Sequence, residues 1–424
     1  MKMPQRVKLT VDQNSLNDGT TRMSEHLFSG LKVLDVAAVI AAPVAAMILA
    51  DFGADVIKVE APSGDMLRTL SNVPTTPDTD NNYFWHMDGR NKRAITLDLK
   101  SPEGIGVLHK LIAECDVYIT NQPFPVRRSL KLEYKDVKSL NPRMIYASLS
   151  AYGEEGPEKD GKGFDLVAYW ARSGLMDLVR DPEGRPAQSL PGMGDHPTGV
   201  ALYAAIATAL IHRERTGEGS MVGTSLLANG LWSAASIAGG AWAGGDMETY
   251  HERKKHPPVF GAIYEASDGR FLQFTMVRTD EEIDRFFHAL GLAHLLEDVR
   301  FNSRATRAEN REELVRLIRE VTETRTSVEW LVILEDAGVP ANRVPKVEET
   351  LQDEQITANK MAVAPASPDL KMPYLVNHPL KVDVAPQVEA VRAPDPGEHT
   401  DAILDELGYT AEEIKALRGG GAVG

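Results

Sequence analysis

From Leu31 to Ser150 the chain alternates between short β-rich runs and stretches with helical periodicity, and this alternation constrains the fold more than any other feature. LKVLDVAAV (31–39), DVIKVEAP (55–62), AITLDLK (94–100), VYIT (117–120) and MIYASLS (144–150) read as strands. Between them, PVAAMILADFG (43–53) and PEGIGVLHKLIAECD (102–116) read as helices, the first ending at Gly53 and the second carrying proline in its first turn. A short helix falls near Tyr134–Leu140. Strands separated by helices cannot pair as hairpins, so the pattern predicts a parallel sheet with helices on both faces.

Beyond Ser150, helices are expected after Asp165 (LVAYWARSGLM) and from Pro197 to about Arg213. Residues 222–245 are apolar and rich in small side chains, and 246–258 turn polar and charged, which marks a domain transition. IYEASDGRFLQFTM (263–276) has the form of a hairpin turning at Ser267-Asp268-Gly269. Helical patterns follow over 279–290, 309–323 and 327–338, then a stretch rich in proline and β-formers over 339–400. A terminal helix with a frayed glycine tail closes the chain. At about 150 residues per domain, 424 residues suggest two or three domains.

Composition narrows the function. Lys and Arg number 46 against 61 Asp and Glu, a net charge of −15, which disfavours general nucleic-acid binding. A small phosphate-bearing ligand needs only a local basic patch; Lys92-Arg93 and Arg127-Arg128 are candidates, though solvated surface is the favoured reading of either pair alone. The longest uncharged apolar run, Val36–Ala50, is shorter than the roughly 18–20 residues of a membrane span. The first residues lack a secretory apolar core, and the single cysteine, Cys115, permits neither an intrachain disulfide nor a thiolate metal cluster. A cytoplasmic location is expected.

The turn Val39-Ile40-Ala41-Ala42-Pro43 occupies the place of a dinucleotide-binding glycine motif, yet no glycine lies between Gly30 and Gly53, which counts against NAD or FAD. No GxxxxGK[ST], G-x-S-x-G or histidine metal-ligand spacing occurs, and no metal is expected. In Pro191-Gly192-Met193-Gly194-Asp195-His196-Pro197, Asp195 reads as an N-cap, with proline suited to the first helical turn. The same carboxylate, flanked by residues without bulk, is also placed to act as a nucleophile, with backbone N–H groups beside Gly192 and Gly194 as oxyanion donors. Asp165, in Lys162-Gly163-Phe164-Asp165, is a second N-cap candidate.

Six segments then fall in order: LKVLDVAAVIAAPVAAMILADFGADVIKVEAPSGDMLR, NKRAITLDLKSPEG, NPRMIYASLSAYGEEGP, GFDLVAYWARSG, PGMGDHPTG and RERTGEGSMV. Together with PDPGEHTDAILDELGY they resemble the family III CoA-transferases, the group of formyl-CoA and carnitine-CoA transferases. GFD followed by PGxGDH is most similar to the transferases of aryl-lactate and related 2-hydroxy acids.

The resemblance implies a Rossmann-like α/β large domain formed by 1–225 and 345–424, a smaller inserted α+β domain over 226–344, and an interlocked homodimer. It implies acyl-CoA and a carboxylic acid as substrates, with no tightly bound cofactor, no nucleic acid and no membrane. It places the catalytic carboxylate on Asp195 beside Gly194, a supporting acid on Asp165, and the CoA-facing turn on Val39 and Ala41. Lys92 and Asn121 match positions near the nucleotide and Lys162 a basic residue near the site; Arg68 and Arg93 are added on electrostatic grounds.

Two departures stand out: Ala61-Pro62 replaces the arginine after VIKxE, and no glycine-rich covering loop is read between 225 and 340. Racemisation of 2-methylacyl-CoA is the alternative within the same resemblance, weakened because Phe164 stands where the racemases carry histidine. A non-catalytic CoA-binding paralogue and a nucleotide-dependent oxidoreductase are the others.

Overall fold

The computed structural model describes residues 26–256, 258–275 and 277–424. They form two compact units. One holds the described residues up to Lys162 together with Gly192–Leu226 and Ala364–Gly424; the other holds Gly163–Pro191 and the described part of Leu227–Val363.

The first unit is built on six strands: β1 (Lys32–Asp35), β2 (Asp55–Glu60), β3 (Arg93–Thr96), β4 (Val117–Thr120), β5 (Ile145–Ser150) and β6 (Ser220–Ser225). All adjacent pairs are parallel, in the order β3-β2-β1-β4-β5-β6. The parallel α/β sheet predicted from the alternation is therefore present. This order reverses between β1 and β4, and open sheets of this kind form their ligand crevice beyond the carboxyl ends of the strands at that point.

One face is covered by the helix Pro102–Glu114, capped by Ser101 and burying Val107, Leu108, Leu111 and Ile112. The spacing of these four gives one apolar stripe, which meets Leu34, Ile57, Ile95 and Tyr146 from the sheet. The other face carries the helix Ala41–Asp51, every residue of which is buried. It packs against the helix Asp195–Thr216 at Gly199, where an added Cβ would stand 2.6 Å from the Ala41 carbonyl oxygen and 2.7 Å from Val44 Cβ. Only glycine lets these helices approach so closely.

Several boundaries differ from expectation. The first strand ends at Asp35 rather than Val39, because Val39 takes a left-handed φ of 66° that no strand accommodates. The closing helix is two helices, Thr400–Glu406 and Ala411–Gly419. The tail beyond them is not frayed: Val423 is buried and bridges Leu97, and the Gly424 N–H donates to Thr96 Oγ1 at 2.8 Å.

The second unit contains the predicted hairpin, β7 (Ile263–Glu265) and β8 (Phe271–Phe274), extended on its other side by β9 (Ala341–Arg343). Asp268 in the turn accepts hydrogen bonds from the N–H and hydroxyl of Ser327. The helices Asp280–Ala289, Arg311–Thr322 and Ser327–Asp336 fall where predicted and enclose a core around Phe274, Phe286, Phe287, Phe301 and Trp330. After Asp165 the chain forms a π-helical segment, Leu166–Ala171, and a short helix, Leu175–Leu178, instead of one continuous helix. Gly174, at φ 86°, separates them. Four glycines do lie between 225 and 340 in a close group: Gly239 and Gly240 inside the helix Ala235–Trp242, and Gly244 and Gly245 just beyond it.

Candidate active site

At the switch point of the sheet lies the turn that joins β1 to the helix Ala41–Asp51. Ala38 exchanges two hydrogen bonds with the Asn121 amide just beyond β4: its N–H donates to Oδ1 at 2.9 Å, and Nδ2 donates to its carbonyl at 2.8 Å. The left-handed conformation of Val39 costs a β-branched residue on the order of 1–3 kcal/mol. Asp65 holds it there, accepting the Val39 N–H at 3.0 Å.

Beneath the turn lies a set of buried charges. Lys58 Nζ bonds the Ala37 carbonyl at 2.5 Å and Asp65 Oδ2 at 2.8 Å, and stands 3.8 Å from Asp35. Lys92 Nζ donates to Asp35 Oδ2 at 2.9 Å and to the Pro43 carbonyl at 2.8 Å. None of these four charged side chains is more than 2% exposed. Burial opposes charge throughout, but Lys58 and the N–H groups of Leu67 and Val39 still hold the Asp65 carboxyl below its usual range, and Asp35 and Asp65 lift Lys58 above its own. For Lys92, burial prevails over Asp35 and pushes the amine down. Sheet strands buried on both faces are ordinarily apolar, so Asp35 and Lys58 within them are present for the turn they hold.

The second element is the turn Pro191–Gly194 leading into the helix Asp195–Thr216. Gly192 has φ 78°, and an added Cβ would lie 2.9 Å from the His196 ring and 3.3 Å from Ile40 Cδ1, so this turn rests against the first. Gly194 takes the cap position, and Asp195 is the first helical residue rather than the expected N-cap. A carboxylate in the first turn is favoured by the helix dipole. Asp195 is 8% exposed. Thr198 anchors the turn by donating from Oγ1 to the Gly194 carbonyl at 2.7 Å. His196 Nδ1 lies 2.8 Å from the Gly192 carbonyl oxygen and Nε2 3.3 Å from Asp88 Oδ1.

The structure thus brings Val39, Ala41, Asn121, Lys92, Gly194 and Asp195 to one region of the first unit. Several cations named from sequence are engaged inside the protein. The Arg68 guanidinium bonds Glu60 at 2.8 and 2.6 Å, bonds the Pro394 carbonyl and stacks on Trp85 at 3.7 Å. Arg93 reaches back to Asp55, the first residue of β2, and to Glu406. Of the second basic pair, Arg127 is buried on Ser148 and the Gln122 carbonyl, and Arg128 pairs with Asp160. Lys162 is exposed. Asp165 belongs to the second unit, where it is buried and accepts the Leu166 N–H at 2.7 Å, while the Phe164 ring beside it is largely exposed. Asp65, Lys58, Asp88 and His196 were not singled out from sequence. Lys58 left a signal, a charge set between the apolar Ile57 and Val59; Asp88 left none.

The family model described as CoA-transferase family III matches residues 28–400. The chain belongs to that family and is a CoA-transferase. It is 32% identical over 393 residues to the (R)-2-hydroxy-4-methylpentanoate CoA-transferase of Clostridioides difficile, covering 92% of this chain and 98% of that protein. It is 34% identical over 395 residues to the cinnamoyl-CoA:phenyllactate CoA-transferase of Clostridium sporogenes, covering 92% and 96%. Among solved structures, a CAIB/BAIF family protein from Brucella suis superimposes with a TM-score of 0.78 at 30% identity, covering 89% of this chain and 98% of that one. No helix of the described residues is long and apolar enough to cross a membrane.

Proposed function

We propose that this chain transfers CoA between carboxylic acids through covalent intermediates on Asp195. The observation that carries the proposal is the position of this carboxylate, on the first turn of a helix whose entry rests against the turn at the sheet's switch point.

A carboxylate is a poor nucleophile toward a thioester, and splitting the reaction into covalent steps divides the barrier. An oxygen of Asp195 attacks the carbonyl carbon of the donor acyl-CoA; the C–S bond breaks, CoA leaves as thiolate, and a mixed anhydride remains. The thiolate then attacks the aspartyl carbonyl, releasing the donor acid as its carboxylate and leaving an aspartyl-CoA thioester. The acceptor carboxylate attacks that carbonyl, expels thiolate again and forms the second anhydride. Attack of thiolate on the acceptor's carbonyl gives the new acyl-CoA and regenerates Asp195. One thioester replaces another, so no phosphoryl donor is consumed. Each oxyanion met along this route gains on the order of 3–4 kcal/mol from a well-placed backbone N–H, and the helix entry beside Gly192 and Gly194 is where such donors belong.

In this proposal the backbone of Val39 and Ala41 faces CoA, Lys162 meets its anionic part, and Asp165 is a second acid of the reaction. Arg68, Lys92 and Asn121 act by shaping the turn. The acceptor is a 2-hydroxy acid, a class supported by the two bacterial relatives and by the GFD and PGMGDH motifs. The active form is an interlocked homodimer in the cytoplasm.

The test pairs wild type and Asp195→Asn with a panel of acyl-CoA donors and of aryl-lactates, 2-hydroxy-4-methylpentanoate, succinate, formate and oxalate, read by mass spectrometry. New hydroxyacyl-CoA thioesters are expected from wild type alone, with CoA binding retained in the variant; transfer by Asp195→Asn removes this carboxylate from the mechanism.

A further inference from the structure

The ring of His196, the residue after Asp195, is held from both sides. Nδ1 meets the Gly192 carbonyl oxygen at 2.8 Å, and Nε2 meets Asp88 Oδ1 at 3.3 Å. A carbonyl oxygen accepts hydrogen bonds and cannot donate them, and the same holds for an ionised carboxylate. Both contacts are therefore hydrogen bonds only when both ring nitrogens carry protons. A neutral ring would satisfy one partner and turn a lone pair toward the other.

Asp88 adds its own requirement. It is 1% exposed in the helix Tyr83–Gly89, and its Oδ2 has no hydrogen-bond partner among the described residues. A buried carboxylate so poorly bonded needs a cation beside it. The other charged groups near this pair are Asp195, one residue away, and Lys92, whose amine is bonded to Asp35. Burial works against a charged ring, but the bond to Asp88, its negative charge, the Gly192 carbonyl and Asp195 together raise the His196 pKa to about 9.

We propose that His196 is a positioning residue for the transfer reaction: as an imidazolium bridging Asp88 and the Gly192 carbonyl, it fixes the turn that presents Asp195 and keeps a positive charge beside that carboxylate. The role rests on Asp195 being the nucleophile. With the ring charged, a positive charge stands beside Asp195, and the Gly192–Gly194 backbone is fastened to the helix Tyr83–Gly89. Loss of the ring proton removes both effects together.

The chain has eleven histidines, so selective 15N-histidine labelling with NMR titration resolves them, and the His196 resonance is the one missing from His196→Gln. In wild type this ring is expected to titrate at least one pH unit above the ordinary value of about 6.5, and kcat/KM for CoA transfer to fall on the alkaline side with the same midpoint. In Asp88→Asn both midpoints are expected to move down together by more than one unit, with Asp88→Glu restoring them. A merely structural contact would lower the melting temperature and leave the pH limb unmoved.

A wild-type ring that titrates at an ordinary value overturns the proposal even where Asp88→Asn does not fold, as does an unshifted limb in a folded Asp88→Asn. The underlying mechanism fails separately: transfer by Asp195→Asn excludes the nucleophile, whatever the His196 titration shows.

Discussion

Lys92 is the residue for which sequence and structure point to different roles, and Lys92→Met separates them. The resemblance sets this lysine near the nucleotide portion of CoA, yet its amine is 1% exposed and bonded to Asp35 and to the Pro43 carbonyl. Methionine fills the volume of the stem, so the main loss is the charge. Removing one partner of a buried ion pair costs about 3–5 kcal/mol, because the other is left uncompensated. Asp35 would keep Lys58 at 3.8 Å and the Ala37 N–H at 3.3 Å, which places the expected loss at the lower end, about 3 kcal/mol. Against a total stability of about 5–15 kcal/mol, this is readily measured. Denaturant unfolding should show a lower midpoint at an unchanged slope. Calorimetric titration of the folded variant should give a Kd for CoA within a few-fold of wild type. A variant that keeps its stability within about 0.5 kcal/mol while CoA binding weakens tenfold or more would refute the assignment and return Lys92 to the ligand.

Three further outcomes follow from the packing and the charges. Gly199→Ala should destabilise by about 1–2 kcal/mol, because overpacking against a carbonyl oxygen costs about 1–3 kcal/mol and the better helix propensity of alanine offsets up to about 1; a stability gain in thermal unfolding would contradict the close helix contact. Deleting Val423 and Gly424 should cost about 2–3 kcal/mol, from one buried valine and the bond to Thr96; unchanged unfolding would mean that the tail is detached. The raised pKa of His196 contributes stability that is complete below about 6.5 and lost as pH rises through about 9. The melting-temperature gap between wild type and His196→Gln should therefore be widest near pH 6 and close by pH 10, and a gap that widens with pH would reverse the sign.

What was legible in the sequence was what local patterning controls. The run of alternating segments yields the parallel sheet, the 263–276 hairpin follows from turn chemistry, and the three helices after it follow from helical periodicity. The misplaced boundaries share a physical cause. β1 ends early because its turn is held by Asp65 and Asn121, which lie far along the chain and leave no trace in the local hydrophobic pattern. The buried tail owes its order to β3 and Leu97 rather than to its own glycine-rich composition. The basic residues show the same limit. Lysine and arginine pairs look alike in sequence whether they face solvent, ligand or a buried carboxylate, and only the fold shows that Arg68, Lys92 and Arg93 have internal partners. Asp195 stands out in the sequence as a candidate because its turn combines glycine, carboxylate and proline within a few residues; Asp88, which holds the neighbouring ring, carries no such signature.

The central claim is covalent capture on one side chain, and it can be read directly. The protein is incubated with a donor acyl-CoA in the absence of acceptor, treated with borohydride or hydroxylamine, and mapped by peptide mass spectrometry. Modification of the peptide carrying Asp195, absent without acyl-CoA and absent in Asp195→Asn, is the predicted result. A substrate-loaded protein that turns over normally yet never shows modification at Asp195 would contradict it.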